Sequence, residues 1–254
     1  MYNTSSSFLA SVPVPSETRT YKPVSHSQII DLTLASIDSA GFKVQNQYYT
    51  ATKDGVIANG RYTIANVNDD EMVLQIGWQN SYNKTKSLKF AIGAMVIICG
   101  NGMVYGDHGN FRKKHMGDIQ EFTPAKIQDY IKASGDVFSL MQRDKVAMKN
   151  VQIDDSVKAR LLGKLLIEDD FIKPTQANII AREINMPTHS YNAPDSLWEF
   201  YNYTTFAMKG IHPSIWMDNH IAAHEWFVNE MGELTGNINT EMFTQLELFP
   251  NELG

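Results

Sequence analysis

The chain has 254 residues, 43% of them hydrophobic and 20% charged, too apolar a balance for a disordered chain and enough to build a sizeable core. Its net charge of −6 argues against indiscriminate coating of nucleic acid, and its one cysteine, Cys99, excludes an internal disulfide framework. The longest apolar run, Phe90–Cys99, is about half of the ~20 residues that span a bilayer, and the N-terminal segment has neither the basic start nor the apolar core of a signal peptide, so a cytoplasmic protein with no membrane partner is expected.

Residues 1–20 are rich in Ser, Thr and Pro without a period and read as an extended arm. A helix follows in "SHSQIIDLTLASIDSAGF": Ser25 or Ser27 can cap it, Ile30, Leu34 and Ile37 share a face, and Gly41 ends it. From Phe42 the period changes. "FKVQNQYYTAT", "GRYTIANV", "EMVLQIGWQN" and "SLKFAIGAMVIIC" are β-rich runs parted by turn signals at residues 53–55 and 68–70 and by the polar loop "NSYNKTK". Their short spacing favours antiparallel hairpins. Cys99 closes the last run, where a buried structural thiol is expected. After Gly117 the pattern is helical: Thr123 is placed to cap a helix with Pro124 at its first position, and four more helical stretches follow. The expected fold is α+β: an N-terminal helix, an antiparallel sheet of four to five strands within a sheet-rich 42–110, and about five helices within 123–235. One domain over 21–240 and a tail over 241–254 complete the expected organisation.

Charge is unevenly spread. No Lys or Arg follows Lys209, whereas seven acids do, and the stretch Lys84–Lys114 holds six basic residues against Asp107 alone. Within it, "WQNSYNKTKSLK" combines Trp78 and Tyr82 with Lys84, Lys86 and Lys89, and Arg112, Lys113 and Lys114 lie past the next hairpin. Aromatic faces that stack on bases beside lysines that neutralise phosphates suit single-stranded nucleic acid; a solvated hairpin with ordinary surface lysines has the same composition. The glycines of "CGNGMVYGDHGNF" lack the phosphate-loop pattern and read as a tight turn with positive φ at Gly100, Asn101 or Gly102. His220 and His224 stand at i, i+4 on a helix, a spacing that can hold a metal, although the order HxxxHE is not that of the zinc proteases and the histidines can equally flank a core stripe. Trp198, Tyr201, Thr205 and Met208 fall at helical spacing and read as core. There is no nucleophile triad, paired-carboxylate motif or CxxC, and no cofactor is expected.

Three stretches carry a resemblance: Asn80, Ser81 and Tyr82; Cys99, Asn101 and Gly102; and Leu197, Trp198 and Asn202. Together they resemble the phage/plasmid-like proteins of a domain-of-unknown-function family found on laterally transferred elements, over roughly residues 20–230. The resemblance implies a mobile-element protein acting in a bacterium. The order of helix, hairpins and helix is also distantly similar to the single-strand annealing recombinases. Near the C-terminus, Gln245-Leu246-Glu247-Leu248-Phe249 is similar to the bacterial sliding-clamp-binding motif, in which two apolar anchors fill a pocket and the glutamine fixes orientation; Glu247 departs from its usual middle residue. A last amphipathic turn packed on the helices is the structural alternative. The leading expectation is a DNA replication or recombination accessory that binds single-stranded DNA and is tethered to the sliding clamp. An interaction protein that redirects a host replication or defence component is the second, and a metal-dependent enzyme using His220 and His224 the third.

Overall fold

A computed structural model of the chain describes residues 1–104, 110–117, 119–212 and 215–236. Among these residues the architecture is α+β, with an antiparallel seven-stranded sheet and helices gathered mostly toward the C-terminus. The segment expected as an extended arm contains a short strand, β1 (Tyr2–Thr4), and a short helix, α1 (Ser6–Ser11), capped by Ser5. Helix α2 (His26–Ser39) has Ser25 as its N-cap, its side chain accepting from the Gln28 amide, and Gly41 follows the C-terminus at φ 78°. Ile29, Ile30, Thr33 and Ile37 form its buried face.

The sheet then builds as a meander: β2 (Lys43–Ala51), β3 (Ile57–Asn68), β4 (Met72–Ser81), β5 (Leu88–Val96). Two short strands, β6 (Gly102–Val104) and β7 (Asn110–Lys113), share the outer edge of β5, so the strand order is β1-β2-β3-β4-β5-β6 with β7 also on β5. The apolar run expected as one strand to Cys99 leaves the sheet after Val96. Ile97 and Ile98 are half-exposed in a turn that needs positive φ at Gly100, and Cys99 is half-buried with its thiol pKa raised by burial.

Every residue of β4 is buried, because both faces of the sheet are covered there. On one face Met72, Leu74, Ile76 and Trp78 enter the main core with Ile92 and Phe90 of β5 and residues of α2 and of the long helix α3 (Ile119–Asn150). Helix α3 begins before the expected Thr123 cap: Pro124 lies inside it, and the Thr123 hydroxyl donates to the Ile119 carbonyl. Among the described residues four helices follow: α4 (Asp155–Gly163), extended by a π-helical turn over Lys164–Glu168, α5 (Pro174–Asn185), α6 (Leu197–Ala207) and α7 (Trp216–Thr235). Trp198, Tyr201, Thr205 and Met208 are all buried, as their helical spacing predicts. The start of α7 lies on the other face of the sheet, where Met217 joins Ala91 and Val104 in a second, small apolar cluster flanked by Trp216 and Ile221. None of the helices is long and apolar enough to cross a membrane among the described residues.

Candidate functional site

The face of the sheet opposite the main core is polar by register. Alternation along each strand places Tyr48 and Thr50 of β2, Asn59 and Arg61 of β3, Gln75 and Gln79 of β4, Lys89 of β5 and Arg112 of β7 on one side, with Tyr48 opposite Arg61, Asn59 opposite Gln79, and Lys89 opposite both Gln79 and Arg112. Pairing of β7 with β5 therefore brings the two basic clusters of the sequence together, although they lie more than 20 residues apart in the chain.

The members of that cluster differ in what they offer. Lys89 is 5% exposed and bonded to Asp218 of α7. Burial, then Arg112 and Lys86, push its ammonium down to about 8. Lys84, held at φ 65° in the loop after β4, lies with its ammonium 4.7 Å from the Tyr21 ring centroid. Lys84, Arg112 and Lys114 are exposed, and Lys86 and Lys113 are half-exposed. Lys113 falls opposite Leu88, on the other side of β7 from Arg112.

The aromatic residues expected to stack on bases are used inside the protein. Trp78 is fully buried, and its indole N–H donates to the Tyr62 hydroxyl at 3.1 Å. A Cβ on Gly60, its partner across the ladder, would lie 2.3 Å from the indole nitrogen, so only glycine leaves room for the ring. Tyr82 is 6% exposed and stacks on His26 with ring centroids 4.1 Å apart, while its hydroxyl accepts the His26 backbone N–H at 2.8 Å. Neither ring offers an exposed face on which a base could stack, which corrects that expectation, although Trp78 reaches the wall of a cavity on the polar face. The residues carrying the family resemblance are likewise structural. Asn80 donates to the Val24 carbonyl at 2.8 Å and contacts His26 Nδ1 at 3.0 Å, the Tyr82 carbonyl accepts from the Tyr21 hydroxyl, and Asn101 Nδ2 donates to the Asn202 carbonyl at 2.9 Å.

His220 and His224 lie on one buried face of α7 but serve separate partners. His220 Nδ1 is 2.8 Å from the Gly102 carbonyl, and burial lowers its pKa to about 4. His224 Nε2 is 3.1 Å from the Asp144 carboxylate. Among the described residues no group of three His, Cys, Asp or Glu side chains is arranged to hold a metal. Gln245, Leu246, Leu248 and Phe249 lie outside the described residues.

A cavity of about 320 Å³ opens on the polar face, between the sheet, the turn at Cys99–Gly100, the end of α6 and the start of α7. Arg61 is its central feature. The guanidinium lies 4.7 Å from the Tyr48 ring centroid and 5.1 Å from that of Trp216, and burial lowers its pKa. No carboxylate among the described residues pairs with it. Lys209, whose ammonium donates to the Cys99 carbonyl, is a second cation of the lining, and among the described residues no acidic residue contributes. Gln79 donates to Asn59, and Asn59 to Thr50, at 2.9 and 3.3 Å, forming a polar row along the wall. Sequence reasoning passed over Arg61; the one available signal was that it is the only charged residue of β3.

The fold and site define an α+β protein with an antiparallel sheet, one face given to the core and the other to a polar, cationic surface. Residues 14–213 match the family described as a domain of unknown function, DUF932, and the chain belongs to that family. No curated protein and no solved structure matches it.

Proposed function

We propose that the protein is a DNA replication or recombination accessory of a mobile element that binds single-stranded DNA at the end of its sheet where β5 and β7 pair. The observation that carries this reading is the cross-strand pairing of Lys89 with Arg112, which joins Lys84, Lys86, Arg112 and Lys114 into one positive region. Lys89 acts there through Asp218, holding the start of α7 against the sheet, so the surface cations supply the phosphate contacts. Base stacking falls to rings on the polar face, Tyr48 and Trp216, in place of the buried Trp78 and Tyr82.

Fluorescence anisotropy with a labelled single-stranded oligonucleotide tests this. Three to four phosphate contacts give a slope of log K against log salt of about −2 to −3. Arg112→Glu/Lys114→Glu is expected to weaken binding at low salt by roughly tenfold or more, since each lost contact also loses its counterion release. Wild-type protein that fails to bind at low ionic strength would sink the proposal. Recruitment by the sliding clamp through Gln245, Leu246, Leu248 and Phe249 is the second part of the reading. It is supported by the motif alone and predicts that Leu248→Ala/Phe249→Ala abolishes capture of the protein by purified clamp; equal capture of both proteins, or none of either, removes it.

A further inference from the structure

The cavity around Arg61 is built for an anion larger than a simple ion. An arginine drawn out of bulk water is ordinarily matched by a carboxylate. Arg61 instead has aromatic rings, a lining without an acid among the described residues, and Lys209 as a second cation. Its fork of N–H donors suits a planar or tetrahedral oxyanion held at two points. The volume of about 320 Å³ exceeds what a lone phosphate fills and lies at the lower end of ordinary small-molecule sites. The remaining walls carry groups of the kind a heterocyclic base meets: the aromatic side chains of Tyr48, Trp78 and Trp216, and the hydrogen-bonded row of Thr50, Asn59 and Gln79.

We infer that this cavity binds a phosphate-bearing nucleotide, its phosphate held by Arg61 and Lys209 and its base placed between the Tyr48 and Trp216 side and the amide row. The nucleotide is either free or one residue of a strand; the recognition chemistry is the same. The inference shares the Tyr48 and Trp216 rings with the proposed strand site but is tested apart from it, since strand binding at β5 and β7 is judged by the salt dependence of the wild-type protein.

Isothermal titration of the full chain with deoxynucleoside 5′-monophosphates, a pentadeoxynucleotide and inorganic phosphate tests it. One nucleotide site per chain is expected, at least tenfold weaker in Arg61→Gln when that variant keeps the wild-type melting temperature. Binding of a monophosphate identifies a free nucleotide as sufficient; Arg61-dependent binding of the pentanucleotide alone identifies a strand residue. Should Arg61→Gln fail to fold, Lys209→Gln, altered at an exposed side chain, is expected to weaken binding at least threefold. The inference is overturned if no nucleotide binds, if inorganic phosphate binds as tightly as the nucleotides, or if binding is unchanged in the folded variants.

Discussion

His26 shows how one side chain can tie a fold together and make it sensitive to acid. Its Nε2 lies 3.0 Å from the Gly55 carbonyl, its Nδ1 is 3.0 Å from the Asn80 amide, and its ring lies on Tyr82. The first contact needs a proton on Nε2 and the second a lone pair on Nδ1, so the ring is neutral. Burial lowers its pKa to about 4, and the same cause brings His220 to about 4. Both rings stay neutral in the fold while the unfolded chain takes up protons below about 6.5. Their stability contribution is therefore complete above that pH and is lost as the pH falls toward 4, by on the order of 3 kcal/mol for each. Urea midpoints measured between pH 7.5 and 5 should fall, and His26→Gln should flatten that decline while lowering stability at neutral pH. A midpoint independent of pH over this range would contradict the assignment. Gly60 is the companion case in packing: Gly60→Ala drives a methyl into the Trp78 indole and should cost about 1–3 kcal/mol in a denaturant titration.

At the scale of elements, legibility followed the locality of the cause. Helix α2 was readable because Ser25, the apolar spacing and Gly41 all act within a few residues. Strands β2–β5 were readable because turn residues punctuate them. The start of α3 was misread because Thr123 and Pro124 carry a good local capping signal. In the fold, Thr123 is fully buried and its hydroxyl turns back to Ile119, so the helix continues through it. The cut at Val96 was invisible for a similar reason: Ile97 and Ile98 are as apolar as the strand before them, yet the turn at Gly100 leaves them half-exposed. Docking of α7 relies on small residues beneath it, since a Cβ on Gly102 would come within 3.0 Å of the Trp216 ring. Gly102→Val should therefore loosen this contact and lower stability by about 1–3 kcal/mol, measured as a shifted urea midpoint.

At the scale of the whole molecule, the candidate site joins parts of the chain that no window of sequence holds. The basic clusters could be listed from sequence, but their meeting depends on β7 returning to β5. The cavity depends on Tyr48, Arg61, Lys209 and Trp216 arriving from two strands, the end of α6 and the start of α7. Sequence composition also misassigned the aromatics, because burial and exposure of a tryptophan look alike until the layers are assembled: Trp78 is sealed in the core and only backs the cavity, whereas Trp216 is partly exposed at its wall. The same assembly buries the Asp144–His224 contact between α3 and α7. Asp144→Ala would leave the imidazole Nε2 without that partner and should cost on the order of 1–3 kcal/mol in thermal or urea unfolding.

The four tryptophans consequently sort themselves into separable optical signals. Trp78 and Trp198 are sealed from solvent, Trp226 is half-buried and donates to Asp169, and Trp216 lies at the cavity with the Arg61 guanidinium over its ring. Emission from the first two should resist aqueous quenchers, while the larger part of any change in emission on filling the cavity should come from Trp216 and be reduced in Trp216→Phe, leaving the part due to Trp78 at the cavity wall. The protein thus carries its own dye at the place where a ligand would enter.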